Sequence, residues 1–317
     1  MYPILKVSLI TTVKNEENSI ITFLLSIANQ TVQPNEIIIV DGLSTDRTAS
    51  LIKGFGKLQI KLIQEKSNIA HGRNIAISNT IHDIIAVTDG GCSLKEDWLE
   101  NIIKPFSEGV DVVVGNYTYK VNSFFDACLY SIHGLFKDGK DLNAFVISSR
   151  SLAFNKKVWE EIGGYPEWLD FSEDMYFHNR IQERNFKITF AHDAVVEWRM
   201  QVNLKGLFKQ FFHYMEGDGM AGMHTRRHIL RFSSYVGSVF LLGLSMKISL
   251  YFLVPLIVGA ISYLIPPFLK FSRLGMYRLW GKALVAIPLV LAFIDVAKMA
   301  GYLSGLTKRM KGLKLKA

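Results

Sequence analysis

From Phe232 to Phe268 the chain carries a single charged residue, Lys247, and from Ala283 to Leu303 only Asp295 and Lys298. About 20 apolar residues cross a bilayer core, so the last third of this sequence is expected to be a membrane-associated helical region rather than a solvated surface. The first stretch is long for one perpendicular helix and short for two full spans at ~1.5 Å of rise per residue. A shallow or tightly turned hairpin with its bend near Lys247 satisfies both limits, with the lysine snorkelling outward. In the second stretch, Asp295 and Lys298 stand three residues apart, a helical pairing distance. Its flanks are both basic, which favours a helix lying in the interface over one that spans. Burial of both stretches as core helices is the alternative. Residues 268–317 hold ten Lys/Arg against Asp295 alone, so this segment carries +9 of a net +8 and the rest of the chain comes to −1. Basic charge beside apolar helices suits an anionic leaflet and cytoplasmic flanks. It does not suit nucleic acid, since no binding motif accompanies it.

The first hundred residues read differently. Val7–Thr12, Glu36–Val40, Gln59–Ile63 and Ile84–Thr88 are short apolar, β-branched runs. Helical spacing at Asn18–Asn29, Asp46–Phe55, Ile69–Ser78 and Lys95–Pro105 separates or follows them. Strands of this kind alternating with helices predict a mostly parallel, Rossmann-like sheet covered on both faces. Beyond Asp111 the pattern is mixed. Strands are expected at Asp111–Tyr119, Phe145–Phe154, Phe186–Phe190 and Ala194–Trp198, and helices at Lys156–Ile162 and Ser172–Arg184. The domain boundary is placed at 230, giving an α/β domain at 1–230 and a membrane-associated region with a basic tail at 231–317. Cys92 and Cys128 have no paired spacing, which fits a reducing compartment and neither a disulfide framework nor a zinc site. The N-terminus runs straight into a strand pattern without a leader, so the first domain is expected on the cytoplasmic side.

Open parallel sheets bind ligands outside the C-terminal ends of their strands. Three segments fall there: Thr12–Glu16 after the first strand, Asp41–Gly42 after the second, and Asp89–Gly90–Gly91 after Ile84–Thr88. Arg73 sits early on a helix expected to face the same crevice. A carboxylate and a guanidinium on one pocket suit a base edge and phosphates. Singly, Asp41 and Ser44–Asp46 also read as turn and cap residues; their joint placement favours a site. Glu173 and Asp174 open a helix, either as stabilising first-turn acids or as a carboxylate aimed into a cleft for general-base work. Gly163–Gly164–Tyr165 and Trp168 form an acceptor platform or a packed Gly turn. His213, Asp218, His224, Arg226, Arg227 and His228 crowd the approach to the apolar region; of these, Arg226 and Arg227 suit phosphates of a lipid or a lipid-linked acceptor.

The ordered series V-S-L-I-T-T-V-K-N-E-E at 7–17, I-I-I-V-D-G-L-S-T-D-R-T at 37–48, N-I-A-H-G-R-N at 68–74, V-T-D-G-G-C at 87–92, G-G-Y-P-E-W at 163–168 and S-E-D at 172–174 resembles the inverting family-2 glycosyltransferases of GT-A fold over residues 5–230. The resemblance implies a nucleotide-sugar site at Thr12, Glu16, Asp41, Arg73, Asp89 and Gly90, with Asp174 as the base and Glu173 supporting it. It implies a transfer to an acceptor hydroxyl on a glycan or lipid-linked substrate at the cell membrane. Two departures stand out. The family's Asp-x-Asp is Asp89–Gly90–Gly91 here, and Trp198 stands where many relatives carry a metal-ligating His, with His192 and Asp193 nearby. Asp89 is then the carboxylate left for Mg²⁺ or Mn²⁺. The cation is expected to be weakly held and to arrive with the nucleotide. A metal-independent route using Arg226, Arg227 or Lys14 is the runner-up, and a non-catalytic relative that has lost its metal site is the alternative to the enzyme. A nucleotidyltransferase is disfavoured, since the Thr12–Glu17 loop has no glycine.

Overall fold

The computed structural model describes residues 5–118, 121–133, 148–198 and 203–314. The chain forms two compact units: residues 1–120 with 136–199, and residues 121–135 with 200–317.

The first unit is built on one sheet. Its strands are β1 (Val7–Val13), β2 (Glu36–Asp41), β3 (Lys61–Gln64), β4 (Ile84–Val87), β5 (Cys92–Leu94), β6 (Val112–Thr118), β7 (Leu152–Asn155) and β8 (Ile188–Trp198). They lie in the order β3-β2-β1-β4-β7-β6-β8-β5. The first four are parallel; β1, β2 and β4 are nearly continuous apolar runs buried on both faces, while β3, with Lys61 and Gln64 at its ends, is the more exposed edge strand. β7 then runs antiparallel to both β4 and β6, which makes the sheet mixed. The helices α1 (Ile20–Ala28), α2 (Thr48–Lys53), α3 (Ile69–Ser78), α4 (Trp98–Ile103), α6 (Lys156–Ile162) and α7 (Glu173–Gln182) belong to this unit. α1 and α4 pack with one face of the sheet through Phe23, Leu24, Trp98 and Leu99. α3, α6 and α7 pack with the other through Ala76, Ile77, Val158, Phe177 and Ile181.

Two expectations change in detail. Phe186–Phe190 and Ala194–Trp198 are a single strand, β8, whose pairing with β6 shifts register between Val114 and Asn116. Such a shift lets one strand continue where the residue pattern reads as an interruption. The expected strand near Phe145–Phe154 is β7, starting at Leu152; its residues 145–147 lie outside the described residues, as does Tyr119.

The second unit is helical: α5 (Phe124–His133), α8 (Leu204–Ala221), α9 (Thr225–Lys247), α10 (Leu253–Ser272) and α11 (Trp280–Lys314). Residues from 200 onward fall in the helical unit, where α8 packs along α11. That approach depends on glycine. A Cβ at Gly305 would lie 2.1 Å from the backbone O of Glu216, and one at Gly301 would lie 2.0 Å from that of Phe212. Among the described residues, three helices, Thr225–Lys247, Leu250–Ser272 and Tyr277–Gly312, are long and apolar enough to cross a membrane. The hairpin does turn just after Lys247, but its arms are longer than the sequence suggested, since α9 begins at Thr225 rather than Phe232. A 23-residue helix extends about 35 Å. The second apolar stretch lies inside the 35-residue α11, so its length suits a span as well as an interfacial position. Asp295 is buried in this unit, near Arg231 Nε at 3.3 Å and Lys298 Nζ at 3.9 Å, and accepts hydrogen bonds from Tyr235 and Tyr263.

Candidate active site

The C-terminal ends of β1 and β2 carry loops that are stitched to each other. Asn15, in the left-handed region at φ 56°, accepts from the Thr45 amide through Oδ1 at 2.8 Å, and its own amide donates to Ser44 Oγ. The Glu16 amide donates to Thr48 Oγ1 at 2.7 Å, and the Glu17 amide donates to Asp46. Helix α3 comes close to β1: a Cβ at Gly72 would lie 2.8 Å from Thr12 Cγ2. Thr12 is thus a packing neighbour of α3. A Cβ at Gly90 would sit 2.5 Å from Val13 Cγ1, so Gly90 is required by the close approach of the β4 loop to β1.

Asp41 is fully buried. Its Oδ1 accepts from the amide and hydroxyl of Ser44, and its Oδ2 from Gln64 Nε2 at 3.1 Å. The carboxylate therefore shapes its own loop, the turn role that its sequence position also allowed.

Arg73 is the centre of the site. Its guanidinium is 3% exposed and both ends are engaged: Nη1 donates to Glu173 Oε1 at 2.6 Å, and Nη2 to Asp89 Oδ1 at 2.8 Å. Tyr165 lies beneath it, with the guanidinium carbon 5.2 Å from the ring centroid. Burial opposes the charge on Arg73, but Asp89 and Glu173 outweigh it and hold its pKa above the usual range. Asp89 remains open, its side chain 34% exposed.

Ser172, left-handed at φ 60°, precedes α7 and turns Glu173 and Asp174 into the site at its first turn. Burial pushes the Glu173 carboxyl up to about 7, against the pull of Arg73 and with the help of its neighbour Asp174. Asp174 is also raised by burial, and the charges of Arg150 and then Arg73 oppose that rise. The two acids titrate as a coupled pair. Asp174 Oδ1 accepts from the Met175 amide at 2.8 Å.

Arg150 was not singled out in the sequence. It enters because β7 runs antiparallel beside β4, with Leu152 opposite Val87, which returns residue 150 to the end of β4 that carries Asp89. Its Nε is 4.0 Å from Asp89 Oδ2, and its guanidinium carbon lies 4.3 Å from the Trp198 ring and 5.6 Å from that of Tyr117. Trp198 is itself placed by pairing opposite Cys92, three residues past Asp89.

At the position of the missing second acid, a carboxylate arrives from elsewhere. A Cβ at Gly91 would lie 3.8 and 3.9 Å from the two Glu16 oxygens. Glu16 also accepts from the Ser19 hydroxyl. Among the described residues no group of three or more His, Cys, Asp or Glu side chains is gathered to hold a metal. Asp89, with Glu16 beside Gly91, is therefore a partial oxygen set, one that substrate phosphates would have to complete. His192 and Asp193 are exposed along β8, and Lys14 is exposed near Gly42.

The Gly163–Gly164 turn is left-handed at both residues, φ 80° and 76°. It delivers Tyr165 into the core, where its ring stacks on Phe177 at 4.0 Å and its hydroxyl meets Ser149 Oγ at 2.9 Å. Tyr165 is a packing residue under Arg73, not an open platform. Trp168 is 55% exposed, edge-on to Tyr176 at 5.5 Å. Arg226 and Arg227 lie in the second unit, exposed in the first turn of α9. In that unit Asp218 Oδ2 stands 3.2 Å from both His224 Nδ1 and His228 Nε2.

Residues 8–163 match the sequence profile of glycosyl transferase family 2. The N-terminal domain belongs to that family. Among curated proteins, glycosyltransferase AglE of Haloferax volcanii is 29% identical over 206 residues, covering 60% of this chain and 65% of its own length. The O-antigen chain rhamnosyltransferase RfbN of Salmonella typhimurium is 24% identical over 202 residues, covering 59% of this chain and 64% of its own. The chain thus spans just under two thirds of these relatives. Among solved structures, the mannosyltransferase PcManGT of Pyrobaculum calidifontis, in complex with GDP-Man and Mn²⁺, aligns with a TM-score of 0.64 at 18% identity over 93% of this chain and 87% of that one. TarS of S. aureus in complex with UDP aligns at 0.52 and 17%, over 97% and 92%. These likenesses establish the GT-A fold.

Proposed function

We propose that this family-2 chain is an inverting glycosyltransferase that moves a sugar from a nucleotide sugar to an acceptor hydroxyl. The observation that carries the reading is the convergence of Arg73, Asp89, Glu173 and Asp174, drawn from three separate segments, at the carboxyl edge of the sheet. Asp174, at the start of a packed helix, takes the proton of the attacking hydroxyl, which adds to the anomeric carbon as the nucleotide diphosphate leaves from the opposite face. Glu173 and Asp89 are tied through Arg73, which fixes them relative to one another and to α7. A divalent cation, when bound, offsets the negative charge of the departing diphosphate; Asp89 and the phosphate oxygens would hold it, with Glu16 the nearest further carboxylate. GDP-Man with Mn²⁺ in one structural neighbour and UDP in another support a donor of this class.

The reading extends to a membrane-linked acceptor, with the catalytic domain on the cytoplasmic side. Three helices suited to crossing a membrane and the basic C-terminal segment support it, as does the O-antigen role in a relative's name. The test is incubation of the full-length protein with UDP-, GDP- and dTDP-linked labelled sugars and a membrane extract. Label is expected in an organic-extractable product whose new bond has the anomeric configuration opposite to the donor's. Retention of configuration would overturn the single displacement, and absence of transfer from every donor would favour the non-catalytic alternative.

A further inference from the structure

Gly90 and Gly91 are adjacent, yet the fold demands glycine at only one of them. A Cβ at Gly90 would lie 2.5 Å from Val13 Cγ1 and 3.6 Å from the Thr12 carbonyl oxygen, so the turn after β4 sits hard against the end of β1. The Cys92 amide closes that turn by donating to the Asp89 carbonyl at 3.0 Å. Gly91 is different. Its φ lies outside the left-handed region, and a Cβ there would make only ordinary contacts, with the two Glu16 carboxylate oxygens at 3.8 and 3.9 Å. Neither the backbone nor space asks for glycine at 91. A longer side chain there would meet charge.

Glu16 is set in that place by its own backbone. Its amide donates to Thr48 Oγ1 at 2.7 Å, and its carbonyl accepts from the Ser19 and Ile20 amides at 2.9 and 2.8 Å. The Ser19 hydroxyl donates to Oε2 and orients the carboxylate. The near-equal distances of its two oxygens from the Gly91 Cβ position mean that both face the space an acidic side chain at 91 would fill. Two acids in that space would repel each other. One acid from the β1 loop and one from the β4 turn supply the same donors as an Asp-x-Asp pair: two hard carboxylates, drawn from two segments instead of one. Mg²⁺ is commonly held by one or two carboxylates with substrate phosphates and water completing its shell, and this pair meets that requirement.

We propose that Glu16 supplies the second carboxylate of the cation site, in place of the acid that the family pattern carries at 91. Asp89 and Glu16 together would hold the divalent cation that accompanies the donor's diphosphate. This rests on the nucleotide-sugar reading given above. It gives the glycine at 91 a reason, since the carboxylate it lacks is already present on the neighbouring loop. It also gives Glu16 a role toward the phosphates and not toward the base.

The test is calorimetric titration of detergent-solubilised full-length protein with UDP, GDP and dTDP, each in EDTA and in Mn²⁺. Wild type is expected to bind one of them more tightly in Mn²⁺. Glu16→Gln keeps an acceptor for the Ser19 hydroxyl, so its melting temperature should not change. It should lose the gain from Mn²⁺, roughly 10-fold or more, the loss seen when even a supporting partner of a metal ligand is removed. Its affinity in EDTA should be no lower than that of wild type, whereas a residue that bound the base would lose affinity equally in both conditions. Adding Gly91→Asp to Glu16→Gln should restore the Mn²⁺ gain, because the new side chain enters a space with no other neighbour within 4 Å. If Glu16→Gln fails to fold, Gly91→Asp alone decides: it sets a further acid against Glu16, so nucleotide-free protein should deplete the paramagnetic resonance of free Mn²⁺ more than wild type does, and equal depletion overturns the proposal. An undiminished Mn²⁺ gain in Glu16→Gln, an equal loss in EDTA and Mn²⁺, no recovery on adding Gly91→Asp, or wild-type binding indifferent to Mn²⁺ overturns the exchange of ligands while leaving the nucleotide reading intact. No binding of any of the three nucleotides in either condition overturns both.

Discussion

Arg73 Nη1 donates to Glu173 Oε1 at 2.6 Å across 100 residues of sequence, in a site where both side chains are less than a tenth exposed. A buried ion pair adds little net stability, yet removing one partner strands the other charge at a cost of roughly 3–5 kcal/mol. Arg73→Ala is therefore expected to lower the melting temperature strongly as well as abolish transfer. Glu173→Gln keeps a hydrogen-bond acceptor and should lower it much less. Equal, small changes in both melts would show that the pair is not the tie it is described as here.

The coupled acids set a pH dependence. Glu173 is raised to about 7 from its ordinary 4.5, and Asp174 is raised as well. Folded protein holds protons here that the unfolded chain has released, so this pair's contribution to stability falls as pH rises from about 4.5 through about 7. Activity runs the other way, because the base must be deprotonated. The acid limb of the pH–rate profile should therefore lie above the range of an ordinary aspartate, and Glu173→Gln should move it to lower pH by removing one of the two charges. An acid limb at the same pH in wild type and in Glu173→Gln would contradict the assignment.

Trp168 is 55% exposed and lies edge-on to Tyr176 of α7. Trp168→Ala should raise the KM for acceptor several-fold with little change in donor affinity or in melting temperature, since little packing is lost. An unchanged acceptor KM would remove Trp168 from the site.

In the helical unit, Gly305→Leu should force α8 and α11 apart, because its Cβ would meet the Glu216 carbonyl at 2.1 Å. Overpacking typically costs 1–3 kcal/mol, and backbone contact leaves no rotamer to absorb it. The expected outcome is a melting temperature lower by several degrees in detergent, against little change for Gly237→Leu, where a Cβ meets nothing within 4 Å. Similar melts for the two would place the helix contact elsewhere.

The parallel half of the sheet was legible because β1, β2 and β4 are continuous apolar runs, and their carboxyl ends are where Asp41, Asp89 and Glu16 lie. What the pattern could not show was the local bonding of each carboxylate: Asp41 accepts from the amide and hydroxyl of Ser44 and from Gln64. Tyr165 was ambiguous for the same reason, an aromatic after a Gly turn, until its stacking on Phe177 placed it in the core. Arg150 carried no local signal at all. It reaches Asp89 only through the antiparallel pairing of β7 with β4, a long-range register that residue spacing does not encode. The length of α9 was misjudged because Arg226, Arg227 and Arg231 interrupt the apolar run without interrupting the helix.

The assignment of Asp174 as base is tested most directly by separating donor binding from transfer in Asp174→Asn. Full-length wild type and variant would be titrated with the donor that supports transfer, then assayed for label moved to acceptor. Retained donor affinity with transfer reduced roughly 10²–10⁴-fold is the expected result. Transfer by Asp174→Asn at near the wild-type rate would contradict the account and shift the base to another group, with Glu173 the first to replace.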